Sequence, residues 1–358
     1  MEQYFSAATE RLFSPIFGGA HRLNVNLTPK ILNMHLLPKS PTPKDNKSTV
    51  MCFTMAACLA AFPLQAADQD VPSDSNPWQW LEGQRDQVSR NVTALGRNLD
   101  AWLAGEGVGD QGVNETYLRV RLNQQLGSLD GYQSRVKIGG SLDLPRLSER
   151  WKLIFESSAE ELKALEESVL GNETSDTAAG AFQFFQISDD EWQVSHSVGL
   201  RGRVPVDPFY RFKAQHNQEL NTDWTLGFRQ RIWHYKSQGW GYKTDVSFDR
   251  KIVSGKILRI SSQVKYQQNH NLTEFSQSIG VHNVLGQYET LSYEFGILGT
   301  SKPNVRVNDY YIGTRYRRAI KDDWLFLEML PQLVVSRDEN WRPEPRLIIN
   351  LEVLFFDF

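Results

Sequence analysis

Hydrophobic and polar positions follow one rule in the N-terminal part of the chain and another from about residue 115 onward. Between residues 77 and 104, Leu81, Val88, Val92, Leu95, Leu99 and Trp102 recur at helical spacing. Asn76-Pro77 supplies an N-cap and a proline at the first helical position, and Gly105 ends the run. The spacing predicts a helix over about 77–104 with one apolar stripe and a polar back, followed by a flexible linker from Gly105 to Gly112. From about residue 115 the period drops to two. Leu118, Val120 and Leu122 alternate with Arg119, Arg121 and Asn123, while Trp224, Leu226, Phe228 and Ile232 alternate with Thr225, Gly227, Arg229 and Arg231. Trp240, Tyr242, Val246 and Phe248 oppose Lys243, Asp245 and Asp249, and Leu258, Ile260, Val264 and Tyr266 oppose Arg259, Gln263 and Lys265.

Read this way, the chain offers strands at about 115–125, 131–143, 149–157, 180–187, 190–201, 208–216, 222–235, 239–250, 255–268, 272–283, 287–299, 306–318, 322–336 and 345–357. The runs reach about 9–14 residues, against about 5–6 for a typical soluble strand. Their polar face carries Arg and Lys at every level. Trp151, Trp192, Trp224, Trp240 and Trp324 begin runs, and Tyr235, Tyr266 and Tyr316 close others. The eleven steps from Trp224 to Tyr235 make roughly 36 Å of strand, which a tilt of about 40° projects to roughly 28 Å, the height of an outer-membrane apolar band. The expected fold is therefore all-β, an antiparallel transmembrane β-barrel of about 14 strands. Because 180–187 alternates poorly and strand number must be even, 12 is the alternative. The longest interruption, 158–179, holds Glu160, Glu161, Glu166 and Glu167 around Leu162, Leu165 and Leu170. It is expected to be an outer loop with a short, solvated acidic helix. The turns at Ser188-Asp189-Asp190 and Lys321-Asp322-Asp323 are expected at the opposite, periplasmic side.

Ahead of the helix, Lys39, Lys44 and Lys47 precede an apolar core from Val50 to Phe62, and Pro63-Leu64-Gln65-Ala66-Ala67 follows. That is the layout of a secretory signal cut after Ala66 or Ala67. Three segments result: 1–66 as leader and signal peptide, with translation starting near Met34 or Met51; 67–112 as periplasmic helix and linker; 113–358 as barrel. Both cysteines, Cys52 and Cys58, fall in the apolar segment, so the remainder has no thiol for a disulfide or a metal.

Composition changes this picture little. A net charge of -3 with 23% charged residues gives no global basic field, so no nucleic acid is expected as a partner. A mean hydropathy of -0.45 argues against a multi-helix membrane protein, though not against a barrel, whose strands meet lipid at every second residue.

The last residues, Leu351-Glu352-Val353-Leu354-Phe355-Phe356-Asp357-Phe358, close an amphipathic strand on a terminal Phe. In this the chain resembles Gram-negative outer-membrane β-barrel proteins as a class, over about residues 115–358, and matches no single family within it. The resemblance implies location in the cell outer membrane, contact with its lipid, and delivery to the barrel assembly machinery through Phe356 and Phe358. Counting back by twos from Phe358 soon reaches Glu352 and Asn350, whereas Phe355, Val353, Leu351, Ile349 and Leu347 form a clean apolar phase. A bulge near Phe356 would reconcile the two. The 77–104 helix is free to plug the barrel, lie against it, or dock a periplasmic partner.

Known barrel enzymes carry defined constellations. His196-Ser197 and His282-Asn283 do not fit the phospholipase spacing, no segment supplies the Asp and Asp–His pairs of omptins, and seven scattered His give no metal spacing. No catalytic residue, metal or cofactor is expected. The lumen-facing phase is more informative. It would expose Arg119, Arg121, Arg135, Lys137, Lys152, Arg201, Arg211, Lys213, Arg229, Arg231, Lys243, Arg259, Lys265, Arg315 and Arg317. Against them stand Glu156, Asp245, Asp249, Glu294, Glu328 and Glu352. Basic rings bias a pore toward anions. The expectation is a passive, anion-favouring channel, with a non-conducting structural or assembly-related barrel as the alternative.

Overall fold

The computed structural model describes residues 77–104, 115–129, 131–145, 150–157, 162–171, 177–188, 191–253 and 255–356. The segment expected to be a signal peptide, the expected Gly105–Gly112 linker, Glu160, Glu161 and Phe358 lie outside them. Fourteen strands close on themselves in one antiparallel sheet: β1 Tyr117–Gly127, β2 Gly131–Asp143, β3 Trp151–Glu156, β4 Ala179–Ser188, β5 Trp192–Arg201, β6 Asp207–Glu219, β7 Trp224–Tyr235, β8 Gly239–Val253, β9 Lys256–Gln267, β10 Leu272–Gly286, β11 Glu289–Thr300, β12 Arg306–Lys321, β13 Leu325–Ser336 and β14 Pro343–Phe356. Each strand pairs with its sequence neighbours, and β1 pairs with β14 to complete the ring. Two helices accompany it, α1 Pro77–Ala104 and α2 Leu165–Leu170.

The ladder fixes which phase faces where. The odd residues of β7 (Arg229, Arg231, Trp233, Tyr235) point inward with Lys213 and Arg211 of β6 and Lys243 and Asp245 of β8, while the even ones point out. The weakly alternating 179–188 segment is a full strand because β3 and β5 hold it from both sides. Outside, Ile138, Val198, Leu200, Phe248, Ile260, Ile279, Tyr293, Phe295 and Ile312 form an exposed apolar belt. Closure gives every strand a partner on each side, as a wall in lipid requires, although short β3 reaches only Gly139–Asp143 of β2.

β14 departs from expectation in one respect. Its pairing with β1 runs without a shift from Arg346 to Phe356, so there is no bulge near Phe356. Phe356 shares the inward phase with Glu352, and its ring is covered by the Arg85 guanidinium of α1 at 4.8 Å. Tyr235 also differs from a girdle residue. It is fully buried inside, packed with Phe209 and Trp233 and stacked on by Arg201. Tyr316 lies within β12 rather than closing it.

The seam where first and last strands meet carries an ion cluster. Glu352 of β14 takes Arg121 of β1 at 2.5 Å and Arg317 of β12 at 2.7 Å, and its own side chain is only 5% exposed. Replacing Glu352 with Ala leaves two guanidinium groups facing each other across the seam. The expected cost is about 2 kcal/mol, read as a lower urea midpoint of the heat-modifiable barrel. Glu352→Asp should recover part of it.

Candidate functional site: a barred lumen

Fourteen strands spaced by about 4.8 Å and tilted by about 40° close at a backbone diameter of about 28 Å, from which side chains take about 5 Å on each side. A bore of about 18 Å would remain, and one helix with its side chains, about 10–12 Å across, is enough to block most of it. The β3–β4 connector does so. Its Leu162 packs on Ala181, Phe209, Trp233 and Tyr235, inward residues of β4, β6 and β7. Leu165 and Leu170, both buried, pack on Leu298, Tyr311 and Val334 of β11, β12 and β13. β6 and β13 stand half the ring apart, so the connector bars the bore from wall to opposite wall. Gly171, at φ 74°, lies so close to the Ile348 side chain of β14 that a Cβ there would collide with it. The expected solvated outer loop is thus an inward-folded bar. Its leucines flank only one helical turn, too few for periodicity to reveal a buried face.

Docking buries acid. Glu166 faces Asp309 of β12, with which it shares a hydrogen bond, and stands near Asp338 and Arg346. Its carboxyl is pushed up to about 7, first by burial and then by the charge of Asp309, with Asp338 adding and Arg346 opposing.

The register puts the expected lumen residues on the inward face. Arg121 lies between Lys137 and Glu352, and Arg135 opposite Asn123. Lys213, Arg231, Lys243 and Lys265 run side by side across β6–β9. Most are engaged in ion pairs. Arg231 and Lys243 both reach Asp245, Lys265 reaches Glu274, Arg211 reaches Glu156, and Arg315 reaches Glu328. Buried Arg201 pairs with Asp207, and Lys152 with Asp143 and Glu115. Asp143, Asp207, Glu274, Asp309 and Glu344 are inward acids that alternation along the chain does not reveal, so the basic excess is smaller than fifteen against six. Asp143, Asp207 and Glu344 sit at strand ends, where counting by twos stops before the ladder does.

Exposed inward charge is mostly basic. Arg119 and Arg229 are exposed, and the side chains of Arg259 and Arg315 are 46% and 56% exposed. Among inward acids in described strands, Glu219 at the end of β6 is exposed as well, whereas Glu156 is 34% exposed and Glu328 9%. These four arginines lie in the strand halves nearer the termini, and the bar lies in the other half.

His282 of β10 hydrogen-bonds Ser292 of β11 at 2.8 Å through Nδ1, a pairing between strands that spacing alone did not reveal. Among the described residues no cluster of His, Cys, Asp or Glu can hold a metal ion.

No family model matches the chain, and no curated protein matches it. Solved structures to which it is similar include a KdgM porin, at 7% identity over 66% of this chain and 98% of that one, TM-score 0.35. Others are Pseudomonas putida OprB at low pH, at 12% over 68% and 92%, TM-score 0.42, and a bacterial polysaccharide outer membrane secretin, at 10% over 69% and 100%, TM-score 0.43. At such identity the likeness transfers no activity. The protein is an outer-membrane β-barrel: its own closed sheet, lipid-facing belt and polar interior require a membrane that barrels span.

A carboxyl that stays neutral when docked but ionises near 4.5 when freed supports docking fully below pH 4.5, and that support is lost as pH rises to about 7. The protection factor of the amides in residues 162–170, observed exchange compared with the intrinsic base-catalysed rate at each pH, is therefore expected to fall between pH 5 and pH 8 (roughly the window of that loss). Glu166→Gln should flatten the dependence. A protection factor unchanged across that range would show that Glu166 does not govern the bar.

Proposed function

We propose that the protein is a passive diffusion channel of the outer membrane that favours small anions and is narrowed, in the conformation seen here, by the β3–β4 connector. The observation that carries this reading is the exposure of inward charge. Most inward carboxylates are taken up in ion pairs and burial, with Glu219 exposed at the terminal end. Water entering there therefore meets the guanidinium groups of Arg119 and Arg229 and the part-exposed ones of Arg259 and Arg315, which also pair with Asp249 and Glu328. A solute crossing there exchanges part of its hydration for those donors, and cations are repelled at the same place. Docking of Leu165 and Leu170 favours a second reading, a barrel that stays shut and serves a structural role.

Planar-bilayer recording under a salt gradient separates them. The refolded protein is expected to give small, steady openings with an anion-directed reversal potential. Arg229→Glu together with Arg119→Glu should move that potential toward zero or past it. Removing residues 162–170 should raise the conductance severalfold. Silence from both the intact barrel and the deletion would support the shut barrel instead.

A further inference from the structure

α1 does not plug the barrel. Val92 and Leu99 pack on Leu118, Leu142 and Phe355, which belong to the outward phase of β1, β2 and β14. Its first half follows the rim: Glu82 pairs with Lys321 beside the β12–β13 turn at 2.8 Å, and the Arg85 guanidinium donates to the Phe356 carbonyl. The helix therefore lies across the strands, on the outer wall at the terminal end.

Its roll about its own axis can be read from two contacts. A step back of four residues turns an α-helix by about 40°. Gly96 lies against Thr116, just before β1, and Val92 lies against Leu118, two residues further from that end. The next step in the same sense leads to Val88, and so away from the rim and toward the apolar belt. Leu81, Val88, Leu95 and Trp102 repeat there every seventh residue, all exposed, Trp102 by 77%. Arg90 and Arg97, also exposed, lie on the opposite side of the helix.

We infer that α1 is an interfacial helix, with the Leu81–Val88–Leu95–Trp102 row immersed among the phospholipid chains of the leaflet at the terminal end and Arg90 and Arg97 in the water beyond. Lipid is the occupant because the row continues the lipid-facing belt of the wall it lies on. The helix is built as such elements are, with Trp on an apolar face, Arg on a polar face, and as many polar as apolar residues. Trp102 at one end and Trp78 and Trp80 at the other suit the headgroup boundary, where an aromatic body meets lipid and its N–H meets water.

The test uses the full chain carrying Cys52→Ser and Cys58→Ser, refolded into phosphatidylethanolamine–phosphatidylglycerol vesicles. A nitroxide is placed at Leu95→Cys, at Val88→Cys in case the first folds poorly, and at Arg90→Cys for comparison. Collision with oxygen is expected to dominate at 95 and 88, and collision with an aqueous nickel chelate at 90. The inference is overturned if the chelate reaches all three sites equally, which would put the row in water. It is overturned too if 95 and 88 are shielded from both reagents, which would put protein, a second copy or a partner, over the row.

Discussion

In lipid an unpaired backbone N–H or C=O has no water to turn to, and this constraint governs the whole molecule. A sheet satisfies it only by closing, so β1 must find β14 across the length of the chain. Closure then divides every strand into two environments, because side chains alternate strictly. The outward set has only to be apolar. The inward set takes most of the charge, at spacings set by the ladder, and the seam uses that fact when Glu352 gathers Arg121 and Arg317 from two other strands.

Charges confined to one wall interact in ways that their number does not reveal. Where an acid stands close by, as Asp245 does beside Arg231 on the next strand and Lys243 on its own, the charges neutralise one another and become part of the wall. Where the acid is already taken, as Asp245 opposite Arg229 is by Arg231 and Lys243, the guanidinium remains exposed. The bar adds a second kind of selection. It introduces leucines into a polar bore, and these find apolar company only at the patches formed by Phe209, Trp233 and Tyr235 and by Leu298, Tyr311 and Val334. Burying Glu166 against Asp309 makes the docking sensitive to protons at a pH where ordinary carboxylates are long ionised.

α1 meets the same barrel from outside. The stripe visible in its sequence is shared between two surfaces: Val92 and Leu99 go to the wall, and Leu81, Val88, Leu95 and Trp102 stay uncovered. Helical periodicity identifies an apolar face but not its neighbours, and for this helix the register of Gly96 and Val92 against β1 decides the matter.

The strand set, the antiparallel barrel and the inward phase were legible in the residues because period-two alternation is a local property that a closed sheet must obey throughout. Thus β2 falls on residues 131–143 as expected, and β4 is a strand despite its weak pattern. Three features were not legible: the inward turn of 162–170, the pairing of Arg201 with Asp207 or Lys265 with Glu274, and the outer seat of α1. Each depends on which distant strands become neighbours and on the room left inside the ring. Sequence determined which side of the wall most residues within the strands take. Only the tertiary structure decided which charges meet, which remain in water, and what fills the bore, because those follow from distances around a closed circle rather than from order along a chain.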